Sequence, residues 1–167
     1  VAKDAPPAEA STLIFQSEAD VVVTSRKYPY EKELLAQKLV KNKYCFSMRE
    51  FDEWEEKGKQ FYEKGRNLYD KVTLDPEALS TIFFTSGTSG TSKGVMLSQR
   101  NLLSNVNDAP QVFQPEGCTL AILPFTHVFG LSTAVLMMFY YGHPIVISNG
   151  LSSFMRELSI VKPNILF

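Results

Sequence analysis

Between Glu116 and Arg156 the chain carries no Lys, Arg, Asp or Glu. A solvated surface is normally built from those four residue types, which are almost never fully buried unless paired. So long an uncharged run therefore reads as interior. The rest of the chain has the opposite character, since 28 of its 35 charged residues precede residue 81. Only Lys93, Arg100, Asp108, Glu116, Arg156, Glu157 and Lys162 follow. The front half can make a solvated face. The back half reads as the core of something larger than itself.

The densest apolar part of the uncharged run is 131–147, LSTAVLMMFYYGHPIVI. Its length approaches that of a bilayer span. Gly142-His143-Pro144 interrupts it, and a proline there would break a spanning helix. A buried helix followed by a buried strand accounts for the run, and no transmembrane segment is expected.

Composition excludes several classes. The chain is 44% hydrophobic with a net charge of -1, which fits a globular domain and neither a disordered tail nor a disulfide-stapled miniprotein. Near-neutrality gives no electrostatic footprint for nucleic acid, so no such partner is expected. Cys45 and Cys118 lack metal-site spacing. They read as reduced thiols of a cytoplasmic protein, with a single disulfide as the alternative. The first ten residues are polar and contain proline, unlike a signal peptide. The chain opens on Val1 and stops within Ile165-Leu166-Phe167. It is expected to be a piece of a longer protein, with apolar surface exposed near that end.

Periodicity sets out a coarse element order. Residues 1–11 read as a linker, with 12–16 and 21–23 as strand material. Residues 29–40 read as a helix with Pro29 near its start and Leu34, Leu35 and Leu39 inward. Residues 44–48 are strand-like. The charged stretch 51–69 reads as one surface helix or two, with Glu53 and Lys57 spaced to pair. Asp75-Pro76-Glu77 marks a boundary. Beyond it, strands at 78–85, 95–97, 119–123, 144–147 and 165–167 alternate with helices at 98–112, 128–141 and 152–161. That alternation predicts an α/β fold, a layered and mostly parallel sheet with flanking helices.

The segment 83–97, FFTSGTSGTSKGVML, carries the most chemical information. Gly87, Gly90 and Gly94 allow tight turns and close approach to a ligand. Successive backbone N–H groups in such turns form an anion-binding concavity. The hydroxyls of Thr85, Ser86, Thr88, Ser89, Thr91 and Ser92 can donate to phosphate oxygens, and Lys93 adds a positive charge. The spacing excludes a Walker A loop, because Ser92 precedes the lysine and Gly94 follows it. It also excludes G-x-G-x-x-G. From composition alone, a polyphosphate loop and a flexible Ser/Gly-rich surface loop both remain open.

The string from Thr85 to Val95, TSGTSGTSKGV, resembles the phosphate-binding signature of the adenylate-forming (AMP-binding) superfamily, TSG-[ST]-T-G-x-P-K-G. Ser89 replaces the usual threonine and keeps its hydroxyl; Ser92 replaces the usual proline. Leu123-Pro124-Phe125-Thr126-His127-Val128-Phe129-Gly130 resembles a second motif, LP-[FLM]-x-H-x-x-G, with Thr126 where many members carry Phe or His.

This resemblance implies that Thr85, Ser86, Gly87, Thr88, Ser89, Gly90 and Lys93 hold ATP phosphates. It implies that Phe125, His127 and Gly130 shape the acyl and nucleotide pockets. His143, which lacks such a motif, reads as structural. The implied reaction joins a carboxylate to AMP from Mg2+-bound ATP and then passes the acyl group to a thiol, usually coenzyme A. The partners are therefore small molecules, with peripheral membrane contact only through an acyl substrate. The catalytic lysine of the family belongs to a C-terminal domain absent here, and no Gly-Tyr-Gly-x-Thr-Glu segment occurs. The resemblance thus implies that residues 1–167 are part of the large N-terminal domain, inactive in isolation. The loop variant and the charged segment before it look most like bacterial long-chain fatty-acid–CoA ligases. Amino-acid or aryl-acid adenylation, or a nonenzymatic nucleotide-binding module, are the alternatives. The Phe- and Met-rich back half suits an acyl chain and equally a plain core.

Overall fold

Two compact units, Val1–Leu74 and Asp75–Phe167, divide the chain at the Asp75-Pro76-Glu77 boundary. The computed structural model describes residues 5–24, 44–86, 92–112, 114 and 116–167.

The first unit begins with α1 (Pro7–Gln16), where sequence reading expected a linker and then a strand. Pro7 suits a first helical turn, and Glu9 complements the positive end of the helix dipole. Ala10, Leu13 and Ile14 are buried at i, i+3 and i+4. The window 12–16 alone was too short to reveal that spacing. Strand β1 (Val21–Thr24) pairs in parallel with β2 (Tyr44–Ser47), Val21 opposite Tyr44. The helix expected at 29–40 lies outside the described residues. A 3-10 turn, Met48–Glu50, leads into α2 (Phe51–Glu63). No residue of α2 is buried, so its charges form a solvated face. Its i, i+4 ion pair is Glu55–Lys59, at 2.9 Å, in place of Glu53–Lys57. The helix stops at Glu63, short of the expected 69, and a separate 3-10 turn covers Tyr69–Lys71.

The second unit holds both motifs. Strands β3 (Leu79–Ser86) and β4 (Ser92–Ser98) form an antiparallel hairpin. Helix α3 (Gln99–Asp108) starts where β4 ends. The Ser98 hydroxyl accepts from the Asn101 N–H at 3.3 Å, and Asn101 Oδ1 accepts from the Ser98 N–H at 2.9 Å. This reciprocal capping box fixes the angle at which strand becomes helix. Arg100 also pairs with Glu77, and its N–H donates to the Pro76 carbonyl at 2.9 Å, tying α3 to the boundary turn.

A three-stranded parallel sheet completes the unit. Its centre is β5 (Thr119–Ala121), between β6 (Ile145–Ile147) and β7 (Ile165–Leu166). Every described strand pairing except the β3–β4 hairpin is parallel. Between β5 and β6 runs α4 (Val128–Leu131), which continues into a π-helical stretch (Ser132–Met137) and a last turn (Met138–Tyr140). The hydroxyls of Ser132 and Thr133 both donate to the Phe129 carbonyl, at 3.4 and 2.6 Å. These side-chain bonds compete with the α register where the helix widens. The helix ends as expected at Gly142, whose φ of 72° lets the His143 N–H reach the Met138 carbonyl at 2.8 Å. Among the described residues no helix is long and apolar enough to cross a membrane.

Val106 of α3 packs with Met137 and Met138, and Ala109, Leu136, Ile145, Ile165 and Phe167 close around them. Leu120 and Thr119 of the central strand are fully buried, and the Thr119 hydroxyl is satisfied by the Ile165 carbonyl at 3.2 Å. The uncharged run is therefore only partly interior. Phe139, Leu151 and Met155 are each more than 70% exposed. Around the chain end Leu166 is exposed, while Ile165 and Phe167 are half-buried against the core.

A 3-10 turn (Leu151–Ser153) introduces α5 (Phe154–Val161). Glu157 of α5 is buried, and both of its carboxylate oxygens are hydrogen-bonded. It accepts from the Ser148 hydroxyl (2.6 Å), the Asn149 side chain (2.7 Å) and the Asn149 N–H (3.1 Å). These donors, Ser148 foremost, hold its pKa below the ordinary carboxylate value. The clamp stitches α5 to the end of β6. A lowered folded pKa means that its stabilisation is complete above the unfolded value and disappears as pH falls through the folded one. Glu157→Gln should therefore lower the melting temperature at neutral pH, and the gap to wild type should close on acidification. Thermal melts across that range check this; a gap independent of pH contradicts it.

Candidate functional site

The register of the hairpin decides what can lie at its tip. Phe84 faces Gly94, Thr85 faces Lys93 and Ser86 faces Ser92. The connecting residues Gly87, Thr88, Ser89, Gly90 and Thr91 lie outside the described residues. Strand pairing thus brings both ends of the Gly/Ser/Thr segment together. Lys93 and Gly94, expected in the loop, belong to β4. Directly opposite residues of an antiparallel pair share a face, so the Thr85 hydroxyl and the Lys93 side chain project from the same side of the hairpin. Both residues are exposed. The Thr85 hydroxyl meets the Lys93 carbonyl only at 3.5 Å, a weak tie.

Phe83, Val95 and Leu97 occupy that same face and turn it toward α3. A cavity of about 240 Å³ lies there, bordered by Thr85 at one end, Leu102 and Asn105 of α3 along its side, and Val128. It is smaller than the roughly 300–1,000 Å³ of ordinary ligand pockets, so it is not itself a nucleotide-sized site. Its value is positional: the base of the Gly/Ser/Thr segment and the first residue of α4 border one space.

The second motif forms the turn between β5 and α4. Phe125 is half-buried and His127 exposed. The His127 N–H donates to the Pro124 carbonyl at 3.0 Å, and its Nδ1 accepts from the Phe129 N–H at 3.3 Å, capping α4. Gly130 is buried where backbone meets backbone. A Cβ there would stand 2.7 Å from the Pro124 carbonyl oxygen and 3.1 Å from Leu123 Cβ. His127 and Gly130 are thus explained together, one capping the helix start and the other letting it approach the turn. Phe129 adds an edge-to-face contact with Phe167, centroids 6.2 Å apart. Sequence reading missed the capping role of His127 and the Glu157 clamp. The spacing from Ser148 to Glu157 crosses a strand end and a helix start, where no periodic signal operates. His143 shows its backbone role in the helix-ending turn.

Among the described residues no group of three or more His, Cys, Asp or Glu could hold a metal ion. Among the described residues the hairpin offers a hydroxyl and a lysine opposite one another at the base of the segment, and the second motif offers an imidazole whose Nδ1 caps α4. The family profile of AMP-binding enzymes matches residues 1–166. The chain belongs to the AMP-binding enzyme family, whose members are the adenylate-forming enzymes. Probable 4-coumarate–CoA ligase 1 of Dictyostelium discoideum is 34% identical over 84 residues, covering 47% of this chain and 15% of that protein. Fatty acyl-CoA synthetase B of the same organism is 34% identical over 119 residues, covering 69% of this chain and 17% of that protein. The matched stretches thus span less than a fifth of these curated relatives. In fold, the chain is similar to O-succinylbenzoate coenzyme A synthetase of Bacillus subtilis solved with AMP. The TM-score is 0.74 at 17% identity, over 99% of this chain and 40% of that one. The same synthetase solved with ATP and a magnesium ion gives a TM-score of 0.71 at 16% identity, over 99% and 41%.

Because the atom facing a Gly130 Cβ is backbone, it cannot swing aside. Gly130→Ala should cost about 1–3 kcal/mol through overpacking and displace the start of α4. Denaturant unfolding measures this; wild-type stability in the alanine variant would contradict the close-packing account.

Proposed function

We propose that this chain is the phosphate-binding part of an ATP-dependent acyl-CoA ligase, within the large N-terminal domain of a longer protein. In that reading a carboxylate attacks the α-phosphate of ATP, giving an acyl-adenylate and pyrophosphate. The thiol of coenzyme A then takes the acyl group and AMP leaves. Positioning and charge stabilisation dominate the first step. The observation that carries the reading is the hairpin register, which sets Thr85 beside Lys93 at the mouth of the Ser/Gly/Thr segment. Thr85, Ser86, Gly87, Thr88, Ser89, Gly90 and Lys93 would hold the phosphates of ATP and follow the leaving pyrophosphate. Phe125, His127 and Gly130 would form the adjoining pocket wall.

Magnesium would arrive with the polyphosphate, since its oxygens and the hydroxyls of this segment suit a hard cation. Coenzyme A is a cosubstrate. The catalytic lysine would come from a C-terminal domain outside these residues, so residues 1–167 alone would not form acyl-adenylates. A cytoplasmic enzyme fits this substrate set, touching membranes only through an acyl substrate.

A long-chain fatty acid is the preferred carboxylate. The fatty acyl-CoA synthetase B likeness supports it. The 4-coumarate–CoA ligase likeness supports an aryl acid as the second reading.

Lys93→Ala in the complete protein tests the phosphate assignment. A hydrogen bond to a charged group contributes about 1.5–3 kcal/mol, so kcat/KM for ATP should fall roughly 10- to 100-fold. Steady-state kinetics with ATP varied decide it. Unchanged ATP dependence would remove Lys93 from the phosphate site.

A further inference from the structure

Only one asparagine of this chain is followed by glycine, in Asn149-Gly150. Asparagine is a thermolabile residue. A glycine after it has no Cβ to hinder its backbone nitrogen from reaching the asparagine side chain. The pair lies between β6 and α5, and Asn149 is exposed to solvent. Glycine is required there by the backbone, since Gly150 has a φ of 115° and a ψ of 178°, a region that residues with a Cβ enter only under strain.

Each group that a reaction between the two residues needs is nevertheless engaged. The Gly150 N–H, whose proton must leave before the nitrogen can attack, donates to Ser148 Oγ at 3.1 Å. That hydroxyl donates in turn to Glu157 Oε2 at 2.6 Å. The Asn149 side-chain amide donates to Glu157 Oε1 at 2.7 Å, and the Asn149 N–H reaches the same oxygen at 3.1 Å. Ser148 is itself anchored to the central strand, its N–H donating to the Ala121 carbonyl at 3.0 Å.

We propose that Asn149 is a deamidation site held in check by the Glu157 clamp, and that its product cannot rebuild the clamp. When the clamp opens and solvent base removes the Gly150 amide proton, the Gly150 nitrogen attacks Asn149 Cγ. A C–N bond closes a succinimide, the Cγ–Nδ2 bond breaks, and the nitrogen leaves as ammonia with a proton from water. Water then opens the ring to aspartate, or to isoaspartate, whose main chain runs through Cβ and Cγ. Either product replaces a donor to Glu157 with a second carboxylate, and like charges so close disfavour one another. Isoaspartate also lengthens the backbone by one carbon at Gly150. The damage falls at the carboxyl end of β6, beside the end of β5 that leads into the second motif. None of this depends on the reaction that the complete protein performs.

Peptide mapping by mass spectrometry, which separates aspartate from isoaspartate, measures the rate in the complete protein at one mildly alkaline pH. A synthetic peptide of residues 145–152 gives the rate without the clamp. Hydrogen bonds to a charged group are worth about 1.5–3 kcal/mol, so the folded protein should deamidate at Asn149 roughly 10- to 100-fold more slowly than the peptide. Glu157→Ala, which removes both acceptor oxygens, should recover most of that difference at a temperature where the variant is still folded. Ser148→Ala, which frees the Gly150 N–H, should also accelerate the reaction and serves where Glu157→Ala does not fold. Val106→Ala weakens the core away from the clamp and should leave the rate near wild type. A folded protein as fast as the peptide, a clamp variant no faster than wild type, or equal acceleration by Val106→Ala overturns the protection. For the product, Asn149→Asp should melt below Asn149→Ala at neutral pH; an Asp variant melting at or above the Ala variant overturns that half.

Discussion

Antiparallel pairing between β3 and β4 is the constraint on which the rest depends. A Ser/Gly/Thr segment is conformationally free by composition, and holding it open toward an anion has an entropic cost. Pairing removes that freedom at Thr85, Ser86, Ser92 and Lys93. It also fixes Lys93 opposite Thr85, so the residue that carries the positive charge belongs to a strand. The capping box at Ser98 and Asn101 extends this rigidity into α3, whose Val106 reaches the Met137–Met138 core.

The second motif is positioned by close packing rather than by pairing. β5 is buried between two parallel neighbours, and the chain leaving it must turn into α4 within a few residues. Gly130 allows helix and turn backbones to approach, while His127 satisfies an otherwise orphaned N–H at the helix start. Both motifs are therefore load paths of the fold as well as candidate binding elements. That dual demand explains why the local pattern is so specific at Leu123–Pro124 and at Gly130.

Much of this was legible in the sequence. Alternating strand and helix signals gave the α/β class, and the uncharged run located β5, α4 and β6. The Ser/Gly/Thr segment stood out through its resemblance to the family signature, since its composition alone left a flexible surface loop equally open. What escaped notice has physical reasons. α1 was hidden because its stripe of Ala10, Leu13 and Ile14 straddles the point where a linker was read to end. The extent of β4 was hidden because Ser92, Lys93 and Gly94 have poor strand propensity, which pairing with Ser86, Thr85 and Phe84 overrides. The π-helical stretch depends on two hydroxyls converging on one carbonyl, and the Glu157 clamp on contacts eight and nine residues apart. Neither leaves a periodic trace. Absence of charge was also an imperfect guide to burial, as Phe139 and Leu151 show.

The central claim is that the β3–β4 hairpin holds the phosphates of a nucleotide. A crystal structure of the complete protein with Mg-ATP tests it most directly. The account predicts phosphate oxygens within hydrogen-bond distance of the backbone N–H groups between Ser86 and Ser92 and of Lys93 Nζ. ATP bound with its phosphates elsewhere, and that segment left without a ligand contact, would contradict it.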